Sequence, residues 1–134
     1  MAFIFIAIAA MIAALSVGLG AFAAHGLQQH LAPSSIEVFK TAVHYQFIHA
    51  LALFGLGILL AMLSQQGGQL IPSALTVAGI AWLIGIVLFS GSLYGLSIAQ
   101  WRWLGPVTPI GGLSFIIGWV SLAVGSWQIH KSLV

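Results

Sequence analysis

The stretch AFIFIAIAAMIAALSVGLGAFAA, residues 2–24, contains no charged side chain. A helix needs about 20 mostly apolar residues to cross a hydrocarbon core of about 30 Å, so this stretch is long enough to span a membrane. Three further stretches of this kind cover residues 42–63, 71–96 and 107–129. The sequence therefore predicts an all-α integral membrane protein with four spanning helices.

The composition supports the same class. The chain has 134 residues, of which 61% are hydrophobic and 3% are charged, whereas soluble domains have about 25% charged residues. We expect one bilayer-embedded domain over residues 1–134. The absence of cysteine from the sequence excludes disulfides, thiolate metal sites and cysteine nucleophiles. Three basic residues are too few for a nucleic-acid surface, so no nucleic-acid partner is expected.

The first stretch has an alternative interpretation as a signal peptide, because it ends in the small-residue sequence Ala21-Phe-Ala23. Against this, no lysine or arginine precedes the apolar run, and the run is long enough to span. We therefore expect a retained first helix.

Proline, glycine and serine mark the breaks between the stretches, at residues 31–35, 64–72 and 101–106. The helices are predicted at about residues 2–24, 35–63, 71–100 and 108–130. Because the connections are short, neighbouring helices should run antiparallel, which predicts a four-helix bundle.

The second helix is predicted to begin before the bilayer. Ser34 and Glu37 have the spacing of a capping box. A helix over residues 35–63 is also longer than a simple span requires. Residues 36–44 should therefore form an amphipathic lead-in near the interface.

Small residues recur at helical spacing and predict the contacts between helices, since close packing drives helix association in lipid. In the first stretch, Ser16, Gly20 and Ala24 recur every four residues. The third stretch has a GxxxG pair, and the last stretch has a stripe of glycine and serine. The glycines predicted at helix contacts are Gly20, Gly91, Gly95, Gly111, Gly118 and Gly125.

Most polar residues fall toward the side of the membrane that would carry the 1–2 and 3–4 loops; the other side receives Gln65, Gln66, Gln69, His130, Lys131 and the amino terminus. Unpaired polar groups are costly in hydrocarbon, so those within the spans should meet in a polar pocket. Thr108 and Pro109 fit the cap and first turn of the fourth helix, whose positive dipole end would then face this pocket. The candidate pocket residues are His25, Tyr45, Gln46, His49, Ser90, Ser92, Tyr94 and Thr108.

That side carries three charged residues, Glu37, Lys40 and Arg102. One hypothesis pairs Glu37 with Arg102 across the two loops. The alternative is that Trp101, Arg102 and Trp103 anchor the protein at the headgroup level, where tryptophan and arginine are common.

His25 and His49 invite a metal or haem hypothesis, because imidazole is a frequent ligand. Another possibility is that each donates a structural hydrogen bond. His44 and His49 are five apart and do not form the i,i+4 pair of a one-helix metal site. No metal or cofactor is expected. No catalytic residue is expected either, since Glu37 is the single carboxylate in the sequence and Ser90-Gly-Ser92 lacks the setting of a hydrolase nucleophile.

Four ordered motifs extend over most of the chain: GAFxAH at residues 20–25, FxTA at 39–42 leading into YQxxHAL at 45–51, LFSGSLY at 88–94, and TPIGG at 108–112 followed by Gly118 and Trp119. The chain resembles the DUF423 family of small four-helix membrane proteins of bacteria, and is similar also to the eukaryotic transmembrane protein 256. Ala23 stands where the family usually has glycine, and His44 lies outside the motif. The resemblance implies a multi-pass plasma-membrane protein without an established activity.

The basic carboxyl-terminal ends that the resemblance implies favour both termini in the cytoplasm, with the bacterial inner membrane as the location. Three functions remain open. The first is a structural or accessory protein that packs with itself or with a larger membrane complex. The second is a binding protein for a lipid, quinone or other amphiphile in the polar pocket. The third is a haem-binding or proton-handling component that uses His25 and His49.

Overall fold

The computed structural model describes residues 1–65 and 71–133, and no strand occurs within these ranges. The helices are α1 (Ala2–His25), α2 (Pro33–Gln65), α3 (Ser73–Gly85), a π-helix (Ile86–Ser90), α4 (Gly91–Ile98), a 3₁₀-helix (Arg102–Leu104) and α5 (Val107–Leu133). The loop residues Gln66 and Gln69 lie outside the described ranges.

Four of the helical segments are long and apolar enough to cross a membrane: Ala2–His25, Pro33–Gln65, Ser73–Ile98 and Arg102–Ser132. The third segment joins α3, the π-helix and α4 into one span. The predicted all-α class with four membrane-spanning helices is confirmed.

The four spans form two packed pairs. In one pair α1 lies along α2, and in the other α5 lies along α3 and the π-helix. The pairs meet where α2 packs against the π-helix and α4, while α1 and α5 make little contact with each other in the described part of the chain. Consequently α2 and the third span occupy the centre, and α1 and α5 are peripheral.

Contacts between the paired spans establish that the helices are antiparallel. Along α5, Gly111 lies against Phe89 of the π-helix and Gly125 lies against Leu75 of α3, so rising numbers on one helix meet falling numbers on the other. The predicted antiparallel bundle is therefore observed.

The α5 stripe packs directly on the third span. A Cβ atom on Gly111 would lie 2.7 Å from the Cα of Phe89, and one on Gly118 would overlap the ring of Trp82. Between them, the Ser114 hydroxyl donates to the Ala81 carbonyl at 2.7 Å. Glycine at these positions is what allows the two backbones to approach.

The GxxxG pair of the third span behaves differently. A Cβ on Gly91 would meet nothing within 4 Å, and one on Gly95 would meet Leu104 of the following 3₁₀-helix. The π-helix explains this difference, because its wider turn rotates α4 relative to α3 and breaks the register that a uniform α-helix would have. Gly91 therefore has no close neighbour on another helix, whereas Gly95 packs on the 3₁₀-helix that begins the fourth spanning segment. The prediction of one seam through both glycines is corrected.

Gly20 of α1 makes an ordinary contact, since a Cβ there would lie 3.7 Å from Val43 of α2. The tighter approach of this pair is at the other end, where a Cβ on Gly57 would lie 3.1 Å from the Ala2 carbonyl oxygen. Gly57 was not among the predicted contact residues.

Two helix starts also differ from prediction. Helix α2 begins at Pro33, and the Ile36 amide donates to the Ala32 carbonyl at 3.1 Å, so Ser34 and Glu37 lie inside the helix rather than in a capping box. Helix α5 begins at Val107, so Thr108 is not its cap. In α2, proline occupies the first helical position, where its missing N–H costs least.

Candidate functional site

A chain of hydrogen bonds centred on Gln46 connects three helices. The Tyr94 hydroxyl donates to Gln46 Oε1 at 2.9 Å, and Gln46 Nε2 donates to the Ser16 hydroxyl at 2.9 Å. Ser16 in turn donates to the Ile12 carbonyl at 2.8 Å. The Gln46 side chain is buried, so this chain joins α1, α2 and α4 inside the bundle.

His49, about one turn further along α2, connects this helix to α5. Its Nδ1 lies 2.7 Å from the Tyr45 carbonyl oxygen, and Trp119 Nε1 lies 3.1 Å from its Nε2. An indole N–H can only donate, so Nε2 accepts and Nδ1 carries the proton that is donated to Tyr45. The imidazole is therefore in its neutral form, with both nitrogens engaged.

Aromatic rings surround this histidine. The Phe115 ring stacks on the imidazole at a centroid distance of 3.5 Å and an interplanar angle of 7°. The Tyr45 ring is stacked at a centroid distance of 6.2 Å from the imidazole. The centroids of the Trp82 and Trp119 rings are 4.8 Å apart. The exposed fraction of His49 is 3%, and it lines a cavity of about 600 Å³ together with Tyr45, Phe115 and Trp119.

The serines of the third span make two more contacts between helices. Ser90 donates to the Ala42 carbonyl of α2 at 2.9 Å. Ser92 donates to the Phe89 carbonyl at 2.9 Å, and its oxygen lies 2.7 Å from the Thr108 hydroxyl of α5. Because Ser92 has one hydroxyl proton, Thr108 is the donor of this second bond.

The structure thus distributes the candidate pocket residues over separate contacts. Gln46 bonds with Tyr94, His49 with Trp119, Ser90 with α2, and Ser92 with Thr108. Tyr45 packs on Phe89 at 4.7 Å, and His25 is exposed at the end of α1. Apart from His25 and Tyr45, these side chains form hydrogen bonds between helices rather than one polar pocket, because each buried polar group needs a partner in lipid.

The prediction missed two partners in these contacts, Ser16 and Trp119. The sequence places Ser16 in the small-residue seam of the first helix. The same position on the α2-facing side of α1 brings its hydroxyl within hydrogen-bond distance of Gln46. Trp119 belongs to the last sequence motif, which does not indicate a hydrogen-bonding role for it. A second tryptophan, Trp82, is fully buried and its Nε1 has no hydrogen-bond partner among the described residues.

The loops contain a polar contact other than the predicted one. Glu37 pairs with Lys40, one turn along α2, at 3.0 Å, and the described residues include no ion pair of Arg102. Instead, Gln100 Nε2 donates to the Ser35 hydroxyl at 3.1 Å and joins the 3–4 loop to the first turn of α2. The predicted pair of Glu37 and Arg102 is therefore corrected: Lys40 is on the same helix as the carboxylate and reaches it without crossing between loops.

Arg102 lies between two exposed tryptophans, Trp101 and Trp103, whose rings stack 6.3 Å apart. This cluster is at the end of a spanning segment. Its exposure and composition match the interfacial anchoring alternative.

A metal or haem fits this arrangement poorly. Both ring nitrogens of His49 are hydrogen-bonded, and a ligand bond would displace one of those partners. His25 is exposed on α1. No group of three or more histidine, cysteine or acidic residues capable of holding a metal ion occurs within the described ranges.

Comparison with known proteins gives a consistent result. The model of the family described as "Protein of unknown function (DUF423)" matches residues 19–112. The chain is 45% identical to the UPF0382 membrane protein YwdK of Bacillus subtilis, over 92% of this chain and 95% of that protein. It is 41% identical to a UPF0382 membrane protein of Staphylococcus saprophyticus, over 94% and 98%. A UPF0382 membrane protein of Haemophilus influenzae is 43% identical, over 87% of each chain.

No solved structure matches this chain. The family match covers most of its length, and the relatives named above are aligned over nearly their whole lengths. The chain belongs to the DUF423 family of membrane proteins.

Proposed function

We propose that this protein is a non-enzymatic structural or accessory protein of the membrane, which packs with itself or with a larger membrane complex. The observation that carries the proposal is the use of its buried polar groups. Gln46, His49, Ser90 and Ser92 each bond to a neighbouring helix. Such bonds fix the positions of helices, whereas a catalytic or transport site would need polar groups directed at a substrate.

The peripheral helices supply the apolar surfaces for association. On α1, Ile4, Met11 and Leu15 are exposed at helical spacing, and on α5 Leu113 and Val120 are likewise exposed. Lipid chains or another apolar helix can cover such faces, and close packing between helices favours the latter where side chains interlock.

Photocrosslinking in cells tests this association. A photoreactive residue replacing Val120 or Leu15 should give adducts of discrete mass above the 14.1 kDa chain. The same residue at Leu53, which is 0% exposed, is the matched control and should give none. Adducts with lipid alone from both outward positions would contradict the proposal.

We further propose that the protein lies in the bacterial inner membrane with both termini in the cytoplasm. Lys131 and His130 lie in the last turn of α5, while Lys40 on the opposite side is paired with Glu37. Arg102 lies on that opposite side as well, so the basic residues of the two sides nearly balance, and the basic carboxyl-terminal ends that the family resemblance implies favour the cytoplasm for both termini. A carboxyl-terminal reporter should be active only in its cytoplasmic form, and a signal from a periplasm-dependent reporter would reverse the orientation.

A further inference from the structure

A groove of about 290 Å³ lies between α1 and α2. Its lining includes Ser16 and Ala23, both almost fully buried, and Gly20, whose missing side chain leaves space as far as Val43. The lining is predominantly apolar. The dimensions and chemistry of this groove suit a hydrocarbon chain.

One end of the groove is charged. Lys40 and His44 line the groove, and Lys40 also lines a second cavity of about 330 Å³ beside the 1–2 loop. This second cavity, the headgroup recess, is bounded by Gln28 and Glu37 as well as by apolar side chains. The apolar groove and the polar recess therefore meet at Lys40.

The position of Lys40 along α2 places it near the membrane surface. With 33 residues and a rise of about 1.5 Å per residue, α2 is about 50 Å long, well beyond a hydrocarbon core of about 30 Å. Its first turns, including Lys40, thus reach the level of the headgroups. An amphiphile in the groove would have its polar end at the recess.

The charges at the recess have opposite signs. Lys40 Nζ is 3.0 Å from Glu37 Oε1, and the side chains are 49% and 71% exposed. An ammonium has three donors and a carboxylate has several acceptor sites, so both groups can bond further partners. A phosphate would be attracted to Lys40, and a primary ammonium would be attracted to Glu37.

We propose that the α1–α2 groove and the headgroup recess bind one phospholipid whose headgroup contains a phosphate and a primary ammonium. The phosphate lies at Lys40, the ammonium donates to Glu37, and one acyl chain lies over Gly20. A headgroup with only negative charge is repelled by Glu37. A trimethylammonium headgroup has no N–H to donate to it.

Native mass spectrometry of the purified full chain in mild detergent tests this site. The probes are phosphatidylethanolamine, phosphatidylcholine and phosphatidylglycerol with identical acyl chains. We expect one phosphatidylethanolamine to be retained about fivefold more than either of the others, as a charge-assisted hydrogen bond would give. Free phosphoethanolamine at the same concentration should not displace it, because the groove contributes to binding.

Two variants separate the headgroup contacts. Lys40→Gln should lower retention of all three lipids, and Glu37→Gln should abolish the preference for phosphatidylethanolamine over phosphatidylcholine. Lys131→Gln, at the other end of the bundle, is the matched control and should bind as the unmodified chain does. All three side chains are exposed, and thermal melts in detergent should show that each variant remains folded.

Equal retention of the three lipids would overturn the proposal, as would a preference for phosphatidylglycerol. It would equally fail if Glu37→Gln kept the full preference, if Lys40→Gln matched Lys131→Gln, or if free phosphoethanolamine displaced the lipid.

Discussion

The two helix pairs of this protein use small residues in different ways. Between α5 and the third span, Gly111 and Gly118 leave no room for a side chain, because the Phe89 backbone and the Trp82 ring fill the space. Between α1 and α2, Gly20 faces the Val43 side chain at an ordinary distance, and a groove remains beside it. The α5 glycines therefore form a tight seam along the third span, whereas the α1–α2 pair is tight at Gly57 and open at Gly20.

The largest effect is expected from the α5 seam. Gly118→Leu should lower the free energy of unfolding by about 3 kcal/mol, since the new side chain must displace the buried Trp82 ring. Gly20→Ala is the matched change in the other pair and should cost less than about 1 kcal/mol, because its Cβ fits. Thermal or denaturant unfolding in detergent measures both. Equal losses would show that the two seams are packed alike.

The second largest effect on stability is expected from the chain of hydrogen bonds centred on Gln46. Gln46→Leu removes the partner of both Tyr94 and Ser16, and we expect a loss of about 1 to 2 kcal/mol, within the range of buried hydrogen bonds in membrane proteins. Combining it with Tyr94→Phe tests the contact directly. The double variant should be less destabilised than the sum of the two single variants, and strict additivity would argue against the bond.

His49 should contribute less through its hydrogen bond than through its packing. Trp119→Phe retains an aromatic ring but removes the donor to Nε2, and should cost about 1 kcal/mol. His49→Ala removes the Phe115 stacking partner as well and should cost more. If Trp119→Phe were as damaging as His49→Ala, the hydrogen bond rather than the ring stack would dominate this contact.

The smallest effect concerns the loops. Glu37→Gln should change stability by less than about 1 kcal/mol, because exposed ion pairs contribute little. A double-mutant cycle with Lys40→Gln should give a small coupling, and a cycle with Arg102→Gln should give none. Strong coupling between Glu37 and Arg102 would restore the interaction across the loops that the structure replaces with Gln100 and Ser35.

The buried polar residues of the candidate site could be predicted from the sequence, but their partners could not. Gln46, His49 and Ser90 were identified from the sequence because a polar residue inside a span must have a partner. Which partner each one has depends on the facing helix: Gln46 bonds Ser16 on α1, and His49 bonds Trp119 on α5. Local patterns do not contain that information, since the partners are 30 and 70 residues away along the chain.

The sequence by itself determined that this protein is a four-span helical membrane protein with a glycine stripe on its last helix. Apolar length sets the number of spans and helical spacing sets the stripe, and both are local properties. Only the tertiary structure decided that Gly91 and Gly95 do not form one seam and that the polar residues form separate contacts between helices. The π-helix at Ile86–Ser90 rotates α4 relative to α3. A hydrogen bond between two helices forms only if the faces that carry the two side chains are packed against each other.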